Sequence, residues 1–299
     1  MTHDAHGKSS GKRLIIFGAG YVGAEVARQA VARGLSVIAV TRNPTKATAL
    51  REEGIDVVVA ELTSGAWQQR IRGGADFVLN CVSSGGGGIE GYRQSYREGM
   101  GAILAWARSG GVAGTIVYTG STSVYGQGGG ARVDETSAAD APGERAGILR
   151  ETESFLRANN GACTRWFVLR LAGIYGPGRH HLLEQVRSGE VAGRGDNRLN
   201  LIYRDDICAA IWAAFGAPSP VGNEIINLAD DAAATKAEIA TWLAERLGVP
   251  PPRFTGLPAT GRREVTPDRV IVNAKARALL GWHPEYPTFR EGYKKILSR

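Results

Sequence analysis

Residues 14–23 constrain the fold of this chain more than any other stretch. Leu14-Ile15-Ile16-Phe17 is a short apolar run that leads straight into Gly18-Ala19-Gly20-Tyr21-Val22-Gly23. A buried strand, a glycine turn and a helix start, in that order, form the unit that holds a dinucleotide pyrophosphate. Gly18 permits the tight turn, Gly20 lets backbone approach the phosphates, and Gly23 lets the helix pack against the strand. The exposed N–H groups at the helix start then face the phosphates. Glycine makes up 41 of 299 residues, so the spacing alone carries little. Its context carries the weight: a strand before, a helix after, and a second strand at the right distance.

The rest of the chain alternates in the same way. Leu14–Phe17, Ser36–Val40, Asp56–Val59, Asp76–Asn80, Thr115–Thr119 and Thr164–Arg170 read as strands buried on both faces. Tyr21–Arg33, Thr45–Glu53, Ala66–Arg72, Ile89–Arg108 and Glu144–Asn159 read as helices between them. In the fourth helix Ile89, Tyr92, Tyr96, Ile103 and Ala107 form one apolar stripe. Such alternation predicts an α/β fold, a doubly wound parallel sheet of the Rossmann type covered by helices on both faces. After Arg170 the rhythm becomes irregular, with helices expected at Asp205–Phe215, Thr235–Leu247 and Asn273–Leu280. We therefore expect a polar disordered tail over residues 1–12, a dinucleotide-binding domain over 13–175, and a smaller, partly interleaved substrate lobe over 176–299.

Composition narrows the function classes. No apolar run approaches the roughly 18–20 residues needed to span a bilayer, so no membrane association is expected. Cys81, Cys163 and Cys208 sit in apolar segments without metal or redox spacing, which suits buried thiols in a reducing cytoplasm. The net charge of +7 comes from basic residues dispersed along the chain, a pattern that favours phosphorylated small molecules over nucleic acid. No metal site is expected.

The end of the second strand bears on the choice of cofactor. An NAD site normally presents a carboxylate there to the ribose hydroxyls. This chain presents Thr41-Arg42-Asn43, a hydroxyl and a guanidinium, which suit the 2′-phosphate of NADP. NADP(H) is therefore the expected cofactor, with NAD(H) the alternative. Glu61 and Leu62, after the third strand, are expected to border the adenine. Cys81 and Val82, after the fourth, complete the candidate cofactor-binding set with Tyr175.

Several segments together resemble the extended and atypical short-chain dehydrogenase/reductases, the NAD-dependent epimerase/dehydratase family, with the YeeZ-like branch closest in look. They are the glycine turn, Tyr118-Thr119-Gly120-Ser121-Thr122-Ser123-Val124-Tyr125-Gly126, Leu169 to Arg179 with its Tyr175-Gly176-Pro177-Gly178-Arg179 turn, and Tyr203-Arg204-Asp205-Asp206-Ile207. The ending, Asn273-Ala274-Lys275 through Leu280-Gly281-Trp282 to Tyr286-Pro287, is similar too. The resemblance implies that Ser121, with Thr122 beside it, polarises a substrate carbonyl or holds a hydroxyl. It implies a turn beside the nicotinamide at Tyr175, anion contacts at Arg179 and Arg204, a helix cap at Asp205 or Asp206, and a homodimer built on exposed helices.

One family element is missing. Its Tyr-x-x-x-Lys pair brings a phenol and an ammonium together on a helix, so the phenol can exchange protons near neutrality. None of the nine tyrosines here has a lysine four residues later, and no lysine lies between Lys46 and Lys236. If Glu153 marks the family's helix glutamate, Arg145 stands at the tyrosine position and Leu149 at the lysine position. Arginine binds oxyanions but does not shuttle protons. Tyr125 is the first candidate donor, with pocket shaping as its alternative role; His180 and His181 follow.

The chain thus reads as a cytoplasmic, NADP(H)-preferring oxidoreductase or epimerase-like enzyme for a polar small molecule, nucleotide- or phosphate-bearing. Its competitor is a non-catalytic NADP(H) sensor, which the missing pair favours. The retained Ser121-Thr122 and arginine segments favour the enzyme.

Overall fold

The computed structural model describes residues 11–158, 160–257 and 267–298, so the tail expected at 1–12 falls almost wholly outside the described residues. The chain divides into two compact units. One comprises the residues up to 121 with 142–169 and 211–225; the other comprises 122–141, 170–210 and 226–299.

The first unit is organised by strands β1 (Arg13–Phe17), β2 (Ser36–Thr41), β3 (Asp56–Val59), β4 (Phe77–Asn80) and β5 (Ala113–Ser121), followed by β6 (Cys163–Leu171) and β7 (Glu224–Leu228). They form one seven-stranded sheet in the order β7-β6-β5-β4-β1-β2-β3, a Rossmann arrangement. The β1–β2, β2–β3, β1–β4 and β4–β5 pairings are all parallel, and Phe17 stands between Val40 and Asn80. Parallel pairing demands crossover helices on both faces. That is why Leu14, Ile15, Ile16 and Phe17 are all fully buried.

Helices α1 (Gly23–Ala32), α2 (Pro44–Glu52), α3 (Ala66–Arg70), α4 (Gly88–Arg93), α5 (Gly99–Gly110) and α6 (Glu144–Ala158) supply the cover. Beneath the sheet, Phe17 meets Trp67 edge-on at 4.9 Å and Trp106 at 5.8 Å. Both indoles are buried without loss, since Trp67 donates to the Leu62 carbonyl and Trp106 to that of Ile71. The single helix expected over Ile89–Arg108 is interrupted by a π turn at Gln94–Glu98. The wider i→i+5 hydrogen bonding there shifts the stripe's register. Met100, Ile103, Leu104 and Ala107 keep the core, whereas Ile89, Tyr92 and Tyr96 stay half-buried.

The second unit holds α7 (His181–Arg187), α9 (Lys236–Leu247), α10 (Ala274–Leu280), α11 (Phe289–Leu297) and the start of α8 (Arg204–Phe215). Strand β7, α7 and α11 were not anticipated in sequence. Its core is an aromatic stack, Tyr293 on Tyr175 at 5.1 Å, Tyr175 on Tyr203 at 5.3 Å and Tyr203 on Tyr286 at 4.0 Å. Asp206 lies inside the first turn of α8 rather than capping it. Its carboxylate accepts the backbone N–H groups of Glu285 and Tyr286, and its own carbonyl accepts the Trp282 indole. The cap expected at Asp205 or Asp206 is thus not what the Asp206 carboxylate does.

Asp230 is buried with one carboxyl oxygen, Oδ2, lacking a hydrogen-bond partner. Burial pushes its pKa up to about 8, against the pull of the Ala232 N–H, and nearby Asp231, Asp206 and Glu291 add to the rise. The folded carboxyl keeps its proton up to that pH, whereas an unfolded aspartate loses it near 3.9. Between roughly pH 4 and 8 the unfolded state therefore binds fewer protons, and stability falls as pH rises. Asp230→Asn imitates the protonated form. We expect it to be more stable than the parent at pH 8, by on the order of 2–5 kcal/mol, and to differ little at pH 4. Denaturant unfolding of both proteins across this range checks it, and parallel pH profiles would refute it.

Candidate functional site

The turn after β1 is held by backbone alone. Gly18 has φ +95°, in the region that favours glycine, and its N–H donates to the Val40 carbonyl at 3.0 Å. Its carbonyl accepts the Gly20 N–H at 2.7 Å and the Cys81 thiol at 3.1 Å. A Cβ on Gly18 would sit 2.6 Å from the Val82 nitrogen, and one on Gly23 would sit 2.3 Å from the Gly18 carbonyl oxygen. A Cβ on Gly20 would meet nothing nearer than the Gly18 oxygen at 4.0 Å, so that side of its backbone faces open space. Helix α1 starts at Gly23 with no side-chain cap, so the positive end of its dipole lies at this turn, and its Ala24 N–H donates to the Gly20 carbonyl at 3.0 Å. The residues thus fit a pyrophosphate cradle.

Above the cradle lies a cavity of about 880 Å³ along the carboxyl ends of β1 to β4. Gly18, Gly20, Thr41, Arg42 and Asn43 line it, as do Glu61, Leu62, Cys81 and Val82. This is the crevice at the sheet's switch point, between β1 and β4, where open α/β sheets take their ligands. Gly23 contributes by close packing, and Val22 is buried beside it. Tyr21 is outside the lining, and Tyr175 belongs to the second unit's aromatic stack. Its hydroxyl points at the Thr288 carbonyl, 3.5 Å away. Cys81 is half-buried rather than buried, with its thiol turned into the glycine turn and its pKa pushed up to about 12 by desolvation.

Asn43 caps α2 by accepting the Lys46 N–H at 3.0 Å, with Pro44 in the first helical position. This capping gathers Arg42, Thr45 and Lys46 on one rim. Lys46 went unnoticed in sequence, although the Asn-Pro start signals the turn that brings it there. Arg42 reaches across to donate to the Ser84 carbonyl at 2.9 Å. Ser84 and Gly85 to Gly87 complete the opposite rim.

The catalytic candidates divide. Ser121 ends β5 in the first unit, half-buried. Thr122 spends its hydroxyl on the Leu171 carbonyl at 3.2 Å. Tyr125, expected as a proton donor, is fully buried. Its hydroxyl donates to Asn227 at 2.9 Å and accepts from Arg170 at 2.8 Å, and burial raises its pKa. The Asn227 N–H in turn donates to Glu135, and Arg269 donates to the carbonyls of Thr122 and Tyr125. This network fixes the loop after β5 and commits the Tyr125 hydroxyl to Asn227 and Arg170.

Arg145 is exposed in the first turn of α6, and Leu149, one turn on, is buried without any charge to offer. Arg204 pairs with Asp205 at 2.8 Å, and Arg179 is exposed in a turn closed on Gly176. His180 and His181 both lie within 3.8 Å of Glu184 on their own helix. Among the described residues no cluster of three or more metal-ligating side chains occurs, and no helix is long and apolar enough to cross a membrane.

The chain matches the NAD dependent epimerase/dehydratase family over residues 14–229. It belongs to that family and is an NAD(P)-dependent enzyme. Protein YeeZ of Escherichia coli strain K12 is 29% identical over 282 residues, covering 92% of this chain and 97% of that protein. The 2-alkyl-3-oxoalkanoate reductase of Stenotrophomonas maltophilia strain K279a is 28% identical over 222 residues, covering 70% of this chain and 66% of the reductase. Among solved structures, the UDP-glucose 4-epimerase of Thermotoga maritima with UDP-glucose superposes with a TM-score of 0.80 at 18% identity, covering 96% of this chain and 97% of that one. That likeness confirms the fold.

The cradle's tolerance is testable. Gly23→Ala would place a methyl 2.3 Å from the Gly18 oxygen and 2.7 Å from the Cys81 sulfur. We expect a stability loss of about 1–3 kcal/mol and at least a tenfold rise in dinucleotide Kd. Fluorescence titration with NADPH and NADH checks it; unchanged binding would refute the account of the turn.

Proposed function

We propose that this enzyme prefers NADP(H) and transfers hydride to or from a polar carbonyl or hydroxyl substrate bearing a phosphate or nucleotide. The observation that carries the preference is the rim after β2. Arg42, Thr45 and Lys46 gather there at the capped start of α2, and the strand ends in Thr41 rather than a carboxylate. Two cations and a helix N-terminus suit a 2′-phosphate, and the planar guanidinium pairs with it bidentately. Glu61 lines the cavity after β3, and we assign it to the border of the adenine rather than to the ribose.

When bound, the nicotinamide supplies the hydride, and the chain orients, polarises and moves protons. Ser121, at the carboxyl end of β5, is the residue we assign to hydrogen-bond the substrate oxygen. Leu149 cannot do the work of an ammonium, and Arg145 serves as a fixed positive charge. Arg179 and Arg204 are candidates for the anionic part of the substrate. The relatives named above include a ketone reductase and a UDP-sugar epimerase, so a carbonyl or secondary alcohol is within the family's range. A reducing cytoplasm and a homodimer remain part of this reading.

Replacing Arg42 tests the preference. A charge-assisted hydrogen bond is worth roughly 1.5–3 kcal/mol, so Arg42→Ala is expected to weaken NADPH binding by about 10- to 150-fold. NADH binding should stay within about twofold. An equal loss for both dinucleotides, or none for either, would contradict the assignment.

A further inference from the structure

The phenol that this site lacks on α6 has a counterpart on α4. We propose that Tyr92 is the proton-donating phenol of this enzyme, with Arg145 supplying the adjacent positive charge. The inference rests on the carbonyl chemistry proposed above and concerns which side chain completes it.

Four observations in the first unit converge on Tyr92. Its ring lies 5.7 Å from the Arg145 guanidinium carbon, so the one cation in the first turn of α6 stands over this phenol. Its ring also packs on Tyr96 at 4.4 Å, and the Tyr96 hydroxyl hydrogen-bonds both the Tyr92 side chain and the Ser84 backbone. Ser84 lines the dinucleotide cavity and accepts Arg42 through its carbonyl. A hydrogen-bonded path thus runs from the cavity rim to Tyr92. The neighbouring residues Gly91 and Ser95 line the same cavity.

The third observation is the strand beside it. Tyr118 is fully buried on β5, three residues before Ser121, and its hydroxyl has no hydrogen-bond partner. Its phenol is held well above its ordinary range by burial, and then by the fields of Tyr96, Glu153 and Tyr92. Tyr92 is therefore close to the strand whose end presents Ser121. The fourth is the fixing of the helices: Arg93 pairs with Glu144, and Arg97 with Glu151 at 2.7 Å, tying α4 and its π turn to α6.

The groups facing Tyr92 are then Arg145 from α6, Tyr96 from its own helix, and Tyr118 from β5 with Glu153 behind it. Tyr96 is held above its ordinary value first by burial and then by Tyr92. Tyr118 and Tyr96 are thus held above their ordinary range, and Tyr92 is the half-exposed phenol of the three, with the Arg145 cation over its ring. In the reducing direction the nicotinamide, when bound, would supply the hydride that forms a C–H bond at the carbonyl carbon, with the carbonyl π electrons moving to oxygen. The Tyr92 O–H breaks, and its proton passes to that oxygen. The products are the alcohol, oxidised dinucleotide and a Tyr92 phenolate, which water reprotonates.

Ultraviolet titration of tyrosinate absorbance tests this, read as the difference between the parent protein and Tyr92→Phe. An opposite charge within about 4–6 Å lowers an acid's pKa by 1–3 units. We expect one phenol to disappear from the titration in Tyr92→Phe, and that phenol to titrate at higher pH in Arg145→Gln, where the cation beside its ring is gone. NADPH affinity, measured in parallel, should be unchanged in Tyr92→Phe, while deuterium transfer from C4-labelled NADPH into a metabolite extract falls on the order of 10²–10⁴-fold. A Tyr92 phenol indifferent to Arg145→Gln, or full transfer in Tyr92→Phe, would overturn the proposal. Loss of NADPH binding by the parent protein would instead sink the cofactor assignment and leave the titration to decide on Tyr92.

Discussion

The site depends on a single backbone carbonyl. The Gly18 oxygen ends β1, accepts the Gly20 N–H, accepts the Cys81 thiol from the end of β4, and fills the space where Gly23 would carry a side chain. Through it β1, β4 and α1 come closer than any residue with a Cβ would allow. That approach opens the cradle: Gly20 is left facing free space, and the uncapped start of α1 is aimed at it. The rest of the first unit serves to hold this geometry. The fully buried β1 and the Phe17, Trp67 and Trp106 cluster beneath it make the strand a rigid base.

The cofactor half and the proton half of the site are built by different means. The dinucleotide cradle is made from backbone, which the local sequence specifies and which few substitutions can improve. Proton chemistry needs side chains placed by tertiary packing, and α6 carries an exposed arginine in its first turn and a buried leucine one turn on. The Tyr125 hydroxyl is committed to Arg170 and Asn227, so the loop after β5 gains rigidity from the same residue that it loses as an acid. In the proposed arrangement, a phenol on α4 and the α6 cation beside it divide the two roles between helices.

Much of this was legible in sequence because it is local. The β1 strand, the glycine turn, the Thr41-Arg42-Asn43 rim and the six strands from Leu14 to Arg170 are signalled by residues close together in the chain. Strand β7 was not, since Glu224–Leu228 sits in a Pro- and Gly-punctuated stretch and becomes a strand by joining the sheet's edge. The π turn at Gln94–Glu98 hid the position of Tyr92, because a regular helix predicts one continuous stripe where the chain makes two. The burial of Tyr125 and Tyr175 depends on Arg170, Asn227 and the α11 residues, far away in sequence, and no spacing rule reports it. Lys46 shows the intermediate case: its signal was present in the Asn-Pro cap and becomes meaningful once the cavity is seen.

The account's central claim is that this cavity serves hydride transfer and not storage of a dinucleotide. The most direct measurement incubates the pure protein with NADPH deuterated at C4 and a metabolite extract, and follows the label by mass spectrometry. The account predicts a product carrying one deuterium on carbon, formed with NADPH and far more slowly with NADH. NADPH bound at the cavity with the label retained through exhaustive exposure to carbonyl metabolites would contradict it and favour a sensor.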